Sequence, residues 1–135
     1  MVPSMILSRY SGDTPDKTGT RTISSGPLYP DVLEKIEKCD VIAWTRKCIA
    51  DLRSMSFDGE DVRKWIIAAM SGGRYLGSEW CEGSQQGTWA ACDAYLVTDS
   101  TWNEYAKKNI SCEYYIKFCL NKNDTVLMTV SFHLS

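Results

Sequence analysis

Gly72 and Gly73 divide this chain into two regimes of hydrophobic periodicity. Before them apolar residues recur at steps of three and four; after them they recur at every second position. A helix face repeats about every 3.6 residues and a strand face every 2, so the switch marks a change of backbone. Helices first and strands afterwards predict an α+β domain. The expectation is about three helices packed on an antiparallel sheet of four or more strands.

The helical half has three candidates. Residues 31–38 carry Val32, Leu33 and Ile36 on one face. Residues 45–55 repeat Cys48, Ile49, Leu52 and Met55, with Thr45 as the N-cap. The third follows Asp58: acidic residues fill its first turn, Phe57 can staple onto Val62, and Val62, Trp65, Ile66, Ala69 and Met70 form the stripe. Gly72 and Gly73 stop it, glycine being tolerant of a left-handed C-cap. Residues 1–29, with Gly12, Pro15, Gly19, Gly26 and Pro27 and no periodicity, read as an irregular N-terminal arm. A chain of 135 residues has room for one domain, taken as residues 30–135.

Strand candidates are residues 74–80 and 88–97, then a hairpin of 112–120 and 125–132 turning at 121–124. Residues 98–111 form a polar excursion without an assigned structure. In the hairpin Tyr114, Ile116 and Phe118 make one apolar face, and Val126, Met128, Val130 and Phe132 another. Both bury together only if even residues pair with even, for example Ile116 with Met128. That register gathers Tyr115, Lys117, Thr129, Ser131 and His133 on the opposite, polar face.

Charge and cysteine content narrow the chemistry. Fifteen basic against 17 acidic residues give a net charge of −2. A nucleic-acid binder usually carries a positive field, so any such function must come from a local cluster. Six cysteines without a C-x-x-C pair, and one histidine, disfavour a closed zinc site. The cysteines sit mostly in apolar segments, where free buried thiols are expected, and neither metal nor cofactor is. No apolar run reaches the ~18–20 residues of a membrane helix. The first residues lack the charge-then-apolar order of a signal peptide, so a cytoplasmic protein is expected.

Read in order, three helices, Tyr75-Leu76-Gly77-Ser78, Trp89, Tyr115-Ile116-Lys117 and Val130-Ser131-Phe132-His133 resemble the MqsR family. These are ribonuclease toxins of bacterial type II toxin–antitoxin pairs, with a RelE-like fold. The likeness runs from about Tyr29 onward. The family's tyrosine and lysine are kept as Tyr115 and Lys117. Leu76 stands where the family has a lysine, Ala90 where it has a glutamine after the tryptophan, and His133 where it has a closing lysine. The resemblance implies an endoribonuclease that cleaves mRNA to arrest growth, with single-stranded RNA and an antitoxin or other small protein as partners.

Metal-free RNA cleavage needs a base for the 2′-hydroxyl, an acid for the leaving oxygen and a cation for the phosphorane. His133 titrates near neutrality and can serve as acid or base. Lys117 or Arg74 can hold the phosphate, with Ser131 beside them, and Tyr115 can orient it or donate a proton. Trp65 and Trp89 read as core, and Glu79 and Asp93 as strand carboxylates without a carboxylate partner. The alternative is a non-catalytic toxin-fold binding module: an immunity, antitoxin or regulatory protein. Leu76, Ala90 and the acidic balance favour it, whereas the Tyr115, Lys117 and His133 face favours the enzyme.

Overall fold

The computed structural model describes residues 5–15 and 20–135, with residues 101–103 described in backbone only. Two short strands come first, β1 (Met5–Ile6) and β2 (Thr22–Ile23). Next are helix α1 (Val32–Lys35), a 3₁₀ turn (Ile36–Lys38) and strand β3 (Asp40–Ala43). Helices α2 (Arg46–Ser54) and α3 (Gly59–Gly72) complete the helical half. Strands β4 (Arg74–Glu82), β5 (Thr88–Asn103), β6 (Lys108–Leu120) and β7 (Val126–Leu134) follow. The sheet has seven strands in the order β2-β4-β5-β6-β7-β3, with β1 alongside β5. It is antiparallel except at β1–β5 and β3–β7. The fold is α+β, with more strands than the periodicity alone indicates.

Helix α3 begins where its cap residues dictate. The Asp58 carboxylate accepts from the Asp61 N–H at 3.0 Å, and the Asp61 carboxylate accepts from the Asp58 N–H at 2.9 Å. This reciprocal pair satisfies two N–H groups that a helix start otherwise leaves open. Val62, Ile66 and Ala69 are buried. They join Tyr114, Ile116, Phe118 and Phe132 of the sheet in one core. The Trp65 ring lies 4.7 Å from Tyr114, and Phe57 meets Phe132 edge-on at 5.7 Å. Each fully buried large side chain there contributes about 1.5–3 kcal/mol. Trp65 and Trp89 both pack into apolar clusters, as expected of core residues.

Helix α2 is seated against β7 by one side chain. The Thr45 hydroxyl accepts from the Cys48 N–H at 3.1 Å and donates to the Val130 carbonyl at 2.8 Å. Strand β3 leaves β7 just before this point, Trp44 N–H donating to Thr129 O. The helix therefore lies beside the stretch of β7 that β3 does not pair. Cap and edge cover come from the same hydroxyl.

Four expectations need correction. The helix over 31–38 is two elements, and Leu33 stays exposed because Val32 and Ile36, four residues apart, are the ones that face the core. Residues 98–111 are not a separate excursion: β5 and β6 continue through them as a two-stranded ribbon, paired from Val97↔Tyr114 to Asn103↔Lys108. That ribbon runs past the ends of its neighbours, since β4 starts opposite Leu96 and β7 ends opposite Tyr114. The N-terminal arm is irregular for most of its described length but joins the sheet twice, as β1 and β2. Arg9 fixes it further, bonding Asp31 at 2.6 and 2.8 Å and Asp124 at 2.8 Å.

The fourth correction concerns register. Even residues do pair with even over the outer half, Ile116 opposite Phe132 and Tyr114 opposite Leu134. Val130 is then an extra residue on β7, and beyond it Phe118 faces Thr129 and Cys119 faces Met128. Ile116 and Met128 are thus not partners. A bulge reverses which face each later residue takes. Thr129 leaves the polar face and is fully buried, its hydroxyl without a protein partner.

Asp93 is also fully buried, at the centre of a polar knot. Its carboxylate accepts from the N–H groups of Leu28 and Tyr29, each at 3.0 Å, and from the Ser78 hydroxyl at 2.6 Å. Tyr29 in turn donates its hydroxyl to the Ala91 carbonyl. The segment leading into α1 is pinned to β4 and β5 in this way. All six cysteines are free, and only Cys112 is not buried. Among the described residues no helix is long and apolar enough to cross a membrane.

Candidate functional site

The outer register of the hairpin assembles the site. Tyr115 pairs with His133 and Lys117 with Ser131, so these four share one sheet face. The Tyr115 and His133 rings stack at 5.1 Å between centroids and 15° between planes. A cleft of about 290 Å³ opens over this face. Its floor carries Lys117, Ser131 and His133, and its wall is the start of α2 with Thr45, Lys47 and Asp51. Glu79 and Glu82 of β4, and Arg21 just before β2, close the other side.

Arg74 stands apart. It pairs with Leu96, which pairs with Tyr115, so it lies two strands from the tyrosine on the same row. Its side chain is exposed and does not line the cleft. Of the five sequence candidates, the structure brings together Tyr115, Lys117, Ser131 and His133. Arg74 is the one left outside.

The electrostatics are set by pairs. Lys117 donates to Glu79 Oε1 at 2.6 Å, the lysine largely buried and the glutamate more open. Burial works to lower the Lys117 pKa, but Cys81, the Glu79 hydrogen bond and Tyr115 together outweigh it and hold the ammonium above its usual range. The Tyr115 phenol is raised by burial, with Lys117 pulling the other way. Lys47 pairs with Asp51 at 2.8 Å, and Arg21 lies over the Trp89 ring at 5.3 Å. Three basic side chains, Arg21, Lys47 and Lys117, thus face three acidic ones, Asp51, Glu79 and Glu82.

His133 has a defined tautomer. Its Nδ1 lies 3.0 Å from the Leu134 carbonyl, which can only accept, so Nδ1 carries the proton. In the neutral ring Nε2 is then the free acceptor. In the charged ring Nε2–H is the donor available to a ligand. The hydrogen bond and the Tyr115 stack together orient the imidazole.

Glu79, Arg21, Lys47 and Asp51 were not among the sequence candidates. Glu79 was legible in principle, since alternation puts it on the same face as Gly77, whose row runs through Ala94 to Lys117. Arg21 comes from the segment read as an irregular arm, and Lys47 and Asp51 from the solvent side of a helix; no local pattern marks them. Leu76 sits exposed in a bulge before Gly77. Gly77 has φ +144°, which a residue with a Cβ rarely adopts. A second, shallower cleft of about 210 Å³ lies beyond Glu79, lined by Thr22, Leu76, Gly77, Ala94 and Tyr115. Among the described residues no group of three or more His, Cys, Asp or Glu side chains could hold a metal ion. No family model matches the chain, and no curated protein and no solved structure matches it either.

Proposed function

We propose that this chain is a metal-independent endoribonuclease toxin of the MqsR kind, acting on single-stranded mRNA in the cytoplasm and neutralised by a small antitoxin partner. One observation carries the reading: Tyr115, Lys117 and His133, which the family pattern singles out, line one continuous polar face. His133 is the acid–base group, the side chain whose ordinary pKa lies nearest neutrality. Lys117 neutralises charge developing on the phosphorane, and Ser131 beside it supplies a hydrogen bond to the phosphate. Tyr115 holds the imidazole by stacking. Arg74, on the same row but farther out, binds RNA beyond the scissile step.

The test is induction in a bacterial host, followed by incubation of purified protein with a mixed RNA pool in EDTA. Growth arrest and cleavage in the wild type, both lost in His133→Ala, support the reading. A second reading, the non-catalytic binding module, is favoured by the charge balance of the cleft and by the pairing of Lys117 to Glu79. Harmless expression with no RNA cut selects it.

A further inference from the structure

Glu79 occupies a position the proposed chemistry leaves open. It lines both the larger cleft with Lys117 and His133 and the smaller one with Tyr115, so its carboxylate stands at their junction. Oε1 is fixed by Lys117 at 2.6 Å, and the side chain remains 39% exposed, enough to meet a ligand. The clefts hold about 290 and 210 Å³. A cavity of about 150 Å³ accommodates one benzene ring, so each can take a nucleobase.

Resting on the ribonuclease reading, we infer that the two clefts are adjoining nucleotide subsites and that Glu79, at their junction, is the general base for a ribodinucleotide step. The carboxylate takes the 2′-hydroxyl proton, and the 2′-oxygen attacks phosphorus. The phosphorus–O5′ bond breaks as protonated His133 delivers its Nε2 proton to the leaving oxygen. Lys117, already against Glu79, balances the charge on the phosphorane. The products are a 2′,3′-cyclic phosphate and a 5′-hydroxyl, and proton exchange with water resets both groups. No oxidant or metal enters the balance.

Of the other titratable groups around the pair, the Cys81 thiol is held above its usual range by its hydrogen bond to Cys92 and by burial, and the Cys48 thiol is pushed up to about 11 by burial, so both stay protonated. Glu82 is occupied by the Gly87 N–H at 3.1 Å, Asp51 by Lys47, and Arg21 by the Trp89 face. Tyr115 is pushed upward and stays protonated at neutral pH. A step that needs one ionised base and one protonated acid has a bell-shaped rate profile, its acidic limb set by the base and its alkaline limb by the acid.

The experiment measures rates from pH 4 to 9 on the complete set of ribodinucleoside monophosphates and on a single-stranded RNA, for wild type, Glu79→Gln and Glu79→Asp. Glu79→Gln retains an acceptor for Lys117 and is expected to lose about 10²–10⁴-fold while losing the acidic limb. Glu79→Asp keeps that limb at reduced rate, which a purely structural role for the carboxylate would not require. Thr22→Trp, which crowds the smaller cleft from an exposed position, raises KM and leaves both limbs in place. A 2′-deoxy sugar at the scissile step abolishes cleavage. If the wild type cleaves RNA but Glu79→Gln keeps its rate and both limbs, Glu79 is not the base and the ribonuclease reading stands. If the wild type cleaves nothing under any condition, both fall together.

Discussion

Tyr115 and His133 face each other across the last two strands with their rings nearly parallel, 5.1 Å apart. The phenol hydroxyl is not what holds the imidazole; the ring face is. Tyr115→Phe is therefore expected to keep most of the RNA-cleaving activity proposed here. Tyr115→Ala should lose at least tenfold, and His133→Ala about 10²–10⁴-fold. Cleavage of a single-stranded RNA by the three purified variants, with circular dichroism as the folding control, checks the order. A Phe variant as weak as the Ala variant would give the hydroxyl a chemical role instead.

Alkaline stability should be governed by buried thiols. Cys48 is pushed up to about 11 by burial, reinforced by Asp51, and Cys92 is raised chiefly by burial. In the folded state these groups stay protonated, whereas unfolded thiols ionise from about pH 8.5. The unfolded state then binds fewer protons, so stability falls as pH rises through the window from about 8.5 to 11. Urea midpoints at stepped pH, with reductant, should show this decline, and Cys48→Ala should make it shallower. In the native protein at pH 8 a thiol reagent is expected to modify Cys112 first, and all six cysteines only after denaturation.

Asp93→Ala removes the acceptor for three donors at once. Leaving buried N–H groups unsatisfied is costly, and the loss is expected at about 3–5 kcal/mol. Thermal melting should drop by 10 °C or more on that scale. Asp93→Asn, which keeps one carbonyl oxygen, should fall between. Equal melting of Asp93→Ala and wild type would mean that the knot does not anchor the segment before α1.

Arg9→Met tests whether the N-terminal segment contributes to stability. The guanidinium holds Asp31 below the usual carboxylate range, chiefly through their hydrogen bond. That contribution is fully present above the unfolded pKa of about 3.9 and is lost as pH falls through the lower folded value. Arg9→Met is expected to cost about 1–3 kcal/mol at pH 7 and to flatten the acid limb of stability. Denaturation curves between pH 2 and 7 measure both.

The sequence makes some of this plain and hides the rest for physical reasons. Val62, Ile66 and Ala69 repeat over about two helical turns, and Asp58 and Asp61 frame the start, so α3 is visible directly. The polar hairpin face is visible because Lys117 and His133 alternate with residues that must be buried. Residues 98–111 carry no such signal, since the described side chains of this ribbon, at 98–100 and 104–111, are exposed. Strand β3 is four residues long and takes its pairing from β7, more than 80 positions away. The bulge at Val130 is invisible to alternation, because Val130 itself is apolar and fits either register. The partners of Asp93 leave no local sign, because two of its three donors are backbone N–H groups 64 and 65 residues distant and the third is the Ser78 hydroxyl on the neighbouring strand.

The tie between Arg9 and Asp124 has a consequence for how this molecule is made. Synthesis is vectorial, and Arg9 leaves the ribosome before the Leu120 carbonyl and Asp124 exist to bind it. The cleft waits in the same way, since its wall includes Arg21 and Lys47 while its floor is Lys117, Ser131 and His133. A nascent chain therefore carries one half of the site, inert, until the last two strands emerge and pair. Whatever the cleft binds, it binds only after the last two strands of the sheet have been made and paired.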